Sequence, residues 1–263
     1  MKNCLIMGFG RSGTSLMGGI LHDAGYYLGD DLYPPRHSNP KGFFENAFIN
    51  GINEQILRKY DYSRLFPNSL NIEKGLSPYN PGEGHRWLTY INKDIEISNV
   101  DESILKDIKE AVSYKNFAYK DPRFNYTLNV WNPFLEKDVQ FLCVFREPAI
   151  TINSVKIECE TAEYLSGFSI SSALIEEIWC NSYLYLLKSF EKSNPEKITF
   201  IHYKQLLSGE VLGLLSDKLE VSLSSNFISG DLNRVRKMKP VSSITTQIYR
   251  NLCKLASYYP PEI

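Results

Sequence analysis

No apolar run in this chain approaches the ~18 residues that a membrane-crossing helix needs. The first apolar stretch, Cys4 to Met7, meets Gly8 at once and is too short for a secretory leader. An excess of charge is also missing. The 29 Lys plus Arg and 30 Asp plus Glu leave a formal net charge of −1. That balance excludes a protein that holds nucleic acid by bulk positive charge, and equally an acidic solvating tail. Cysteine is sparse: Cys4, Cys143, Cys159, Cys180 and Cys253 are odd in number and widely spaced. They form no C-x-x-C pair and no Cys/His metal spacing, so they read as reduced core thiols, with no metal implied. Internal repeats and low-complexity tracts are absent. Together these absences predict a soluble, cytoplasmic chain.

What is present is globular: 43% hydrophobic, 13% aromatic and 22% charged residues. A chain of this length buries roughly three quarters of its unfolded surface and needs no covalent staple. One large α/β domain over residues 1–263 is expected rather than two small ones.

Short apolar runs alternate with helical patterns. Strands are expected at Cys4–Met7, Phe117–Lys120, Val139–Phe145 and Lys197–His202. Helices are expected from Thr14 to Ala24, from Phe43 to Lys59 (Phe48, Ile52 and Ile56 on one face) and in two pieces between Trp87 and Val112. Further helices are expected after Pro148, over Ile170–Lys192 and over Val211–Leu219. Residues 29–42 and 61–85, rich in Pro, Gly and Asn, read as loops. This alternation predicts a three-layer fold of the kind that carries phosphate-binding glycine loops: a central parallel sheet with helices on both faces. Ligands in such folds sit at the carboxyl ends of the strands.

The loop Gly8-Phe9-Gly10-Arg11-Ser12-Gly13-Thr14-Ser15 stands at such an end. Against the nucleotide-loop pattern G-x-x-x-x-G-K-[ST], Gly8, Gly13 and Ser15 match, while Thr14 replaces the lysine. The amides of Ser12 to Ser15 would converge on an anion at a helix N-terminus. A triphosphate hydrolase needs that lysine. Here the cation, Arg11, has moved into the loop, which suits a nucleotide whose reactive group hangs on its 5′-phosphate.

Arg11 to Leu16, Arg-Ser-Gly-Thr-Ser-Leu, resembles the 5′-phosphosulfate loop of sulfotransferases that use 3′-phosphoadenosine 5′-phosphosulfate (PAPS). Val144-Phe145-Arg146-Glu147-Pro148 with Asn153-Ser154 resembles that family's site for the donor's 3′-phosphate, which implies that Arg146 and Ser154 grip it. Asn39-Pro40-Lys41-Gly42-Phe43-Phe44-Glu45 is similar to a stretch that implies Glu45 as the general base, with His37 as the alternative. Partial burial by Phe43 and Phe44 would raise its pKa toward that task. Tyr119-Lys120-Asp121-Pro122-Arg123 is similar to a segment of tyrosylprotein sulfotransferases and implies that Lys120 stabilises the transferring group. His202-Tyr203-Lys204 implies Tyr203 beside the adenosine. The basic cluster Arg234, Arg236, Lys237 and Lys239 before Pro240 resembles a late loop closing the donor site, through Lys239 in particular.

The resemblance spans residues 3–60 and 117–220. It implies transfer of a sulfuryl group from PAPS to a hydroxyl or amine of a small-molecule, glycan or lipid acceptor. Residues 61–116 would serve acceptor binding, and 230–263 would supply the closing loop and tail. A nucleotide kinase or hydrolase, or a non-catalytic nucleotide binder on the same fold, are the alternatives.

Overall fold

The computed structural model describes residues 1–60, 84–98, 100–166, 168–192, 197–228 and 239–260. Four strands form one parallel sheet: β1 (Cys4–Met7), β2 (Ala118–Lys120), β3 (Gln140–Phe145) and β4 (Ile198–His202). Their order is β2-β1-β3-β4, with Leu5 opposite both Tyr119 and Phe141, and Phe145 opposite His202. Every strand expected from sequence is present within a residue of its predicted start. Parallel strands need long crossovers, and those crossovers are helices that cover both faces.

Side-chain alternation along each strand divides the core into two layers. Leu5, Met7, Phe141, Cys143 and Phe145 face one layer, and Cys4, Ile6, Leu142 and Val144 face the other. Against the first layer pack α2 (Ala47–Arg58), α3 (Glu102–Ala111), α4 (Phe124–Trp131), α5 (Pro148–Thr161), α6 (Ser172–Lys192) and α9 (Ser243–Leu255). Against the second pack α1 (Thr14–Asp23), α7 (Tyr203–Ser208) and α8 (Leu212–Leu219). Cys4, Cys143, Cys159 and Cys253 are buried and Cys180 half-buried, all unpaired. Among the described residues no helix is long and apolar enough to cross a membrane, and no group of three His, Cys, Asp or Glu could hold a metal ion.

Several boundaries differ from expectation for local reasons. The second helix starts at Ala47, not Phe43. Gly42 and Phe44 adopt left-handed φ values of 100° and 54°, and Asn46 then caps the helix by accepting from the Ile49 amide at 3.1 Å. Its buried face is Ile49, Ile52, Asn53 and Ile56, while Phe48 is 41% exposed. Among the described residues between Trp87 and Val112 only α3 is α-helical, preceded by a 3₁₀ turn at Arg86–Leu88. The expected helix near Val211 is α8, separated by Gly209 from α7. The helices α4 and α9 were not expected. The α4 surface is buried nearly all round, with polar Asn125 and Thr127 inside, so no amphipathic stripe marks it. Arg234, Arg236 and Lys237 lie outside the described residues, as does most of the 61–85 connection.

Candidate active site

The parallel strands all end on one edge. Met7 runs into the glycine loop, Lys120 into Asp121, Phe145 into Arg146 and His202 into Tyr203. The topology therefore brings together polar groups far apart in sequence.

The glycine loop is fixed from below. The Gly8 amide donates to Asn125 Oδ1 at 3.0 Å, and the Phe9 amide to the Tyr183 hydroxyl at 3.1 Å. Ser12 is fully buried, with its hydroxyl 3.4 Å from the same Tyr183 oxygen. Its side chain thus serves the core, and what it offers a ligand is backbone. Aromatic rings close in from two sides. A Cβ on Gly10 would lie 2.7 Å from the Trp87 ring, and one on Gly13, whose φ is +98°, would lie 2.2 Å from the Tyr203 ring. Only glycine fits either place. From Thr14 the helix α1 begins, and its first amides have no intrahelical acceptor.

Two cavities meet at this loop. The larger, about 620 Å³, is bordered by Arg146, Asn153, Ser154, Tyr203, His37 and Phe227. The smaller, about 280 Å³, is bordered by Tyr33, Phe43, Trp87, Tyr164, Lys120 and Glu45. Arg11, Gly13, Ser15 and Glu158 border both.

In the smaller cavity Lys120 and Glu45 form a close ion pair, both side chains largely buried. Asn50 Nδ2 donates to Glu45 Oε2 at 2.7 Å. Its own Oδ1 is buried with no hydrogen-bond partner among the described residues. Ser15 Oγ accepts from Lys120 Nζ at 3.4 Å and from Asn39 Nδ2 at 3.1 Å, joining the pair to the glycine loop. Burial alone would push the Glu45 carboxyl up, as the sequence suggested. The Lys120 ammonium beside it, with Arg123 and Asn50, outweighs that and leaves it below the ordinary carboxylate value. The expected rise is therefore reversed.

Behind the pair lies a buried charge network. Arg123 donates through Nε to Glu54 at 2.7 Å, through one terminal nitrogen to Asp121 at 3.0 Å, and through the other to the Gly84 carbonyl at 2.7 Å. Glu54 also accepts from the Gly84 and Arg86 amides and from the Arg86 side chain. Asn53 donates to the second Asp121 oxygen at 2.9 Å. This network pins residues 84–88, including His85 and Trp87, as a wall of the smaller cavity.

In the larger cavity the Arg146 guanidinium lies 4.5 Å over the Tyr203 ring. Among the described residues it makes no ion pair, with Glu147 or any other carboxylate. Ser154, two turns into α5, accepts from Arg11 Nε at 3.2 Å. Arg11 itself has a left-handed φ of 67°, and it also donates to the Ser38 carbonyl at 3.1 Å and pairs with Glu158 at 3.6 Å.

Thus Arg11, Gly13, Thr14, Ser15, Glu45, Lys120, Arg146, Ser154 and Tyr203 all border these cavities. His37 borders only the larger one, whereas Lys120 and Glu45 border the smaller. Lys239 is exposed and borders neither. Sequence reasoning did not single out Glu158, Tyr164, Asn50 or Trp87. Glu158 stands four residues after Ser154, so one face of α5 carries both. That spacing was the available signal.

Compared with known proteins, the chain matches no family model, and no curated protein matches it in sequence. Solved structures do match. A sulfotransferase domain from the curacin biosynthetic pathway aligns over 99% of both chains, at 16% identity and a TM-score of 0.53. A sulfotransferase domain from the Synechococcus PCC 7002 olefin synthase aligns over 99% of this chain and 98% of that one, at 15% identity and a TM-score of 0.54. The chain therefore has the α/β fold of these sulfotransferase domains.

Proposed function

We propose that the protein is a sulfotransferase that moves a sulfuryl group from PAPS to a hydroxyl or amine of a small-molecule, glycan or lipid acceptor. The observation that carries this reading is the Lys120–Glu45 pair, joined through Ser15 to the glycine loop where the two cavities meet. A base, a cation and an anion cradle converge there.

In this reading the larger cavity takes the nucleotide. Arg146 and Ser154 hold its 3′-phosphate by charge-assisted and hydroxyl hydrogen bonds, and Tyr203 lies beside the adenosine. The glycine loop, with Arg11 and the first amides of α1, takes the 5′-phosphosulfate. The fit is supported by the two glycines, which let the loop run close against Trp87 and Tyr203, and by Arg146, which makes no ion pair among the described residues. The acceptor enters the smaller cavity between aromatic walls, which gives the described part of 61–116 its role.

The acceptor oxygen or nitrogen attacks sulfur in line. The new bond to sulfur forms as the sulfur–oxygen bond to the 5′-phosphate breaks, and the electron pair leaves on the phosphate oxygen. The acceptor's proton passes to Glu45. Lys120 and Arg11 offset the charge on the sulfuryl and departing oxygens. Sulfuryl oxygens compete with Glu45 for Lys120. As Lys120 turns to them, the buried carboxylate loses its counter-ion and becomes a stronger base. The five unpaired cysteines fit work in a reducing, cytoplasmic setting.

The test is turnover of sulfur-labelled PAPS with an acceptor panel, alongside calorimetric titration with the product 3′-phosphoadenosine 5′-phosphate. Micromolar binding and labelled acceptor are expected. Binding of neither nucleotide, or Mg²⁺-dependent ATP turnover instead, overturns the reading.

A further inference from the structure

A buried carboxylate beside a cradle for a polyanion demands a reason. Glu158 is 2% exposed, borders both cavities and plays no part in the transfer step above. Its two oxygens do different work. Oε2 pairs with Arg11 at 3.6 Å. Oε1 accepts from the Ser38 hydroxyl at 2.9 Å and from the Tyr164 hydroxyl at 3.1 Å. Tyr164 stays protonated and able to donate, because burial and Glu158 itself push its phenol up. The Arg36 guanidinium closes over the Tyr164 ring at 4.5 Å, so both Ser38 and Arg36 anchor the same stretch of loop.

We propose that Glu158 is a positioning residue for donor capture: it holds the Arg11 guanidinium at the seam between the cavities and yields it to the donor's 5′-phosphosulfate. The inference rests on the sulfotransferase reading. Arg11 is poised for the exchange. Its contact with Glu158 is the long one, its side chain is 24% exposed, and its remaining bonds go to neutral oxygens of Ser38 and Ser154. A phosphosulfate offers stronger acceptors at closer range. Once Arg11 turns, Glu158 is not left bare, because the two hydroxyl donors on Oε1 remain. They keep the Ser38 segment in place over the filled cavity. Ser154 can accept from Arg11 while its own O–H donates to a phosphate, so the two ends of the donor act on one hydrogen-bonded chain. A ligand shifts such an equilibrium only by its differential affinity for the two arrangements, and here the only charged competitor among the described residues is one carboxylate oxygen.

The experiment is calorimetric titration of wild type, Glu158→Gln, Arg11→Met and the double variant with 3′-phosphoadenosine 5′-phosphate. Glutamine keeps a carbonyl for Ser38 and Tyr164 and removes the charge that holds Arg11. Glu158→Gln is expected to bind about five- to fiftyfold tighter, with the gain absent when Arg11 is methionine. Unchanged or weaker binding by a folded Glu158→Gln overturns the proposal. So does an equal gain in the Arg11→Met background, which would reduce Glu158 to simple repulsion. If Glu158→Gln does not fold, Glu158→Asp, too short to reach Arg11, is expected to bind at least twofold tighter, and binding at or below wild type overturns the proposal. A wild-type protein that fails to bind the bisphosphate overturns the sulfotransferase reading itself, and the proposal with it.

Discussion

Lys120 and Glu45 neutralise one another at the inner end of the smaller cavity, and each is held by a third group. Ser15 Oγ accepts from the lysine at 3.4 Å, and Asn50 donates to the glutamate at 2.7 Å. The pair is therefore placed by the glycine loop on one side and by α2 on the other.

Glu45→Gln is expected to lower sulfuryl transfer by about 10²- to 10⁴-fold, the usual range for a general base, with bisphosphate affinity within about twofold of wild type. Steady-state rates and calorimetry check it. Transfer that survives in Glu45→Gln would move the base elsewhere.

The pH profile has a definite sign. Lys120 holds the Glu45 pKa below its ordinary value of 4.5, so the carboxylate is ready throughout the neutral range. The acid limb of kcat/KM should lie below that value in wild type. In Lys120→Met burial is opposed only by the weaker pull of Arg123 and Asn50, and the limb should move to higher pH. The same shift makes the pair's contribution to stability complete above the ordinary carboxylate value, and it is lost as pH falls through the folded pKa. Urea midpoints between pH 7 and pH 3 should fall less steeply in Lys120→Met.

Arg146→Ala should weaken 3′-phosphoadenosine 5′-phosphate by roughly 10- to 100-fold, the worth of a charge-assisted hydrogen bond of about 1.5–3 kcal/mol. Adenosine 5′-phosphate, which lacks the 3′-phosphate, should lose almost nothing. Equal losses for both nucleotides would mean that Arg146 reads some other part of the ligand.

Breaking the network behind the site should cost stability first. Arg123→Ala leaves Asp121 and Glu54 buried with a shared counter-ion removed, and such losses run to about 3–5 kcal/mol. Chemical denaturation measures it. A loss under about 1 kcal/mol would show that water or rearranged neighbours replace the guanidinium.

Much of this arrangement was legible in the chain. Short apolar runs ending in glycine or charged residues gave the strands and hence the edge where Arg11, Lys120, Arg146 and Tyr203 gather. Less visible was anything decided by burial without a pattern. The helix α4 hides because Asn125 and Thr127 are inside it, satisfied by Gly8, Ser182 and Asn53. Phe48 shares its row with buried Ile52 and Ile56 yet is exposed, because it stands in the first turn of α2 at the margin of the buried stripe. Glu54 and Glu158 look like ordinary helix-surface glutamates. Only tertiary contact reveals one as the hub of a buried network and the other as the partner of Arg11. The sign of the Glu45 pKa was equally out of reach, because it depends on a lysine 75 positions away arriving at contact distance.

Between the two cavities stand the glycine-rich turn, pressed by Trp87 on one side and Tyr203 on the other, and Glu158. A wall so thin makes each compartment part of the other's floor. Two ligands seated there would both border Ser15. A molecule that joined a bisphosphate nucleotide to an aromatic tail by a short linker would fill both at once, gaining from the effective concentration of its second half.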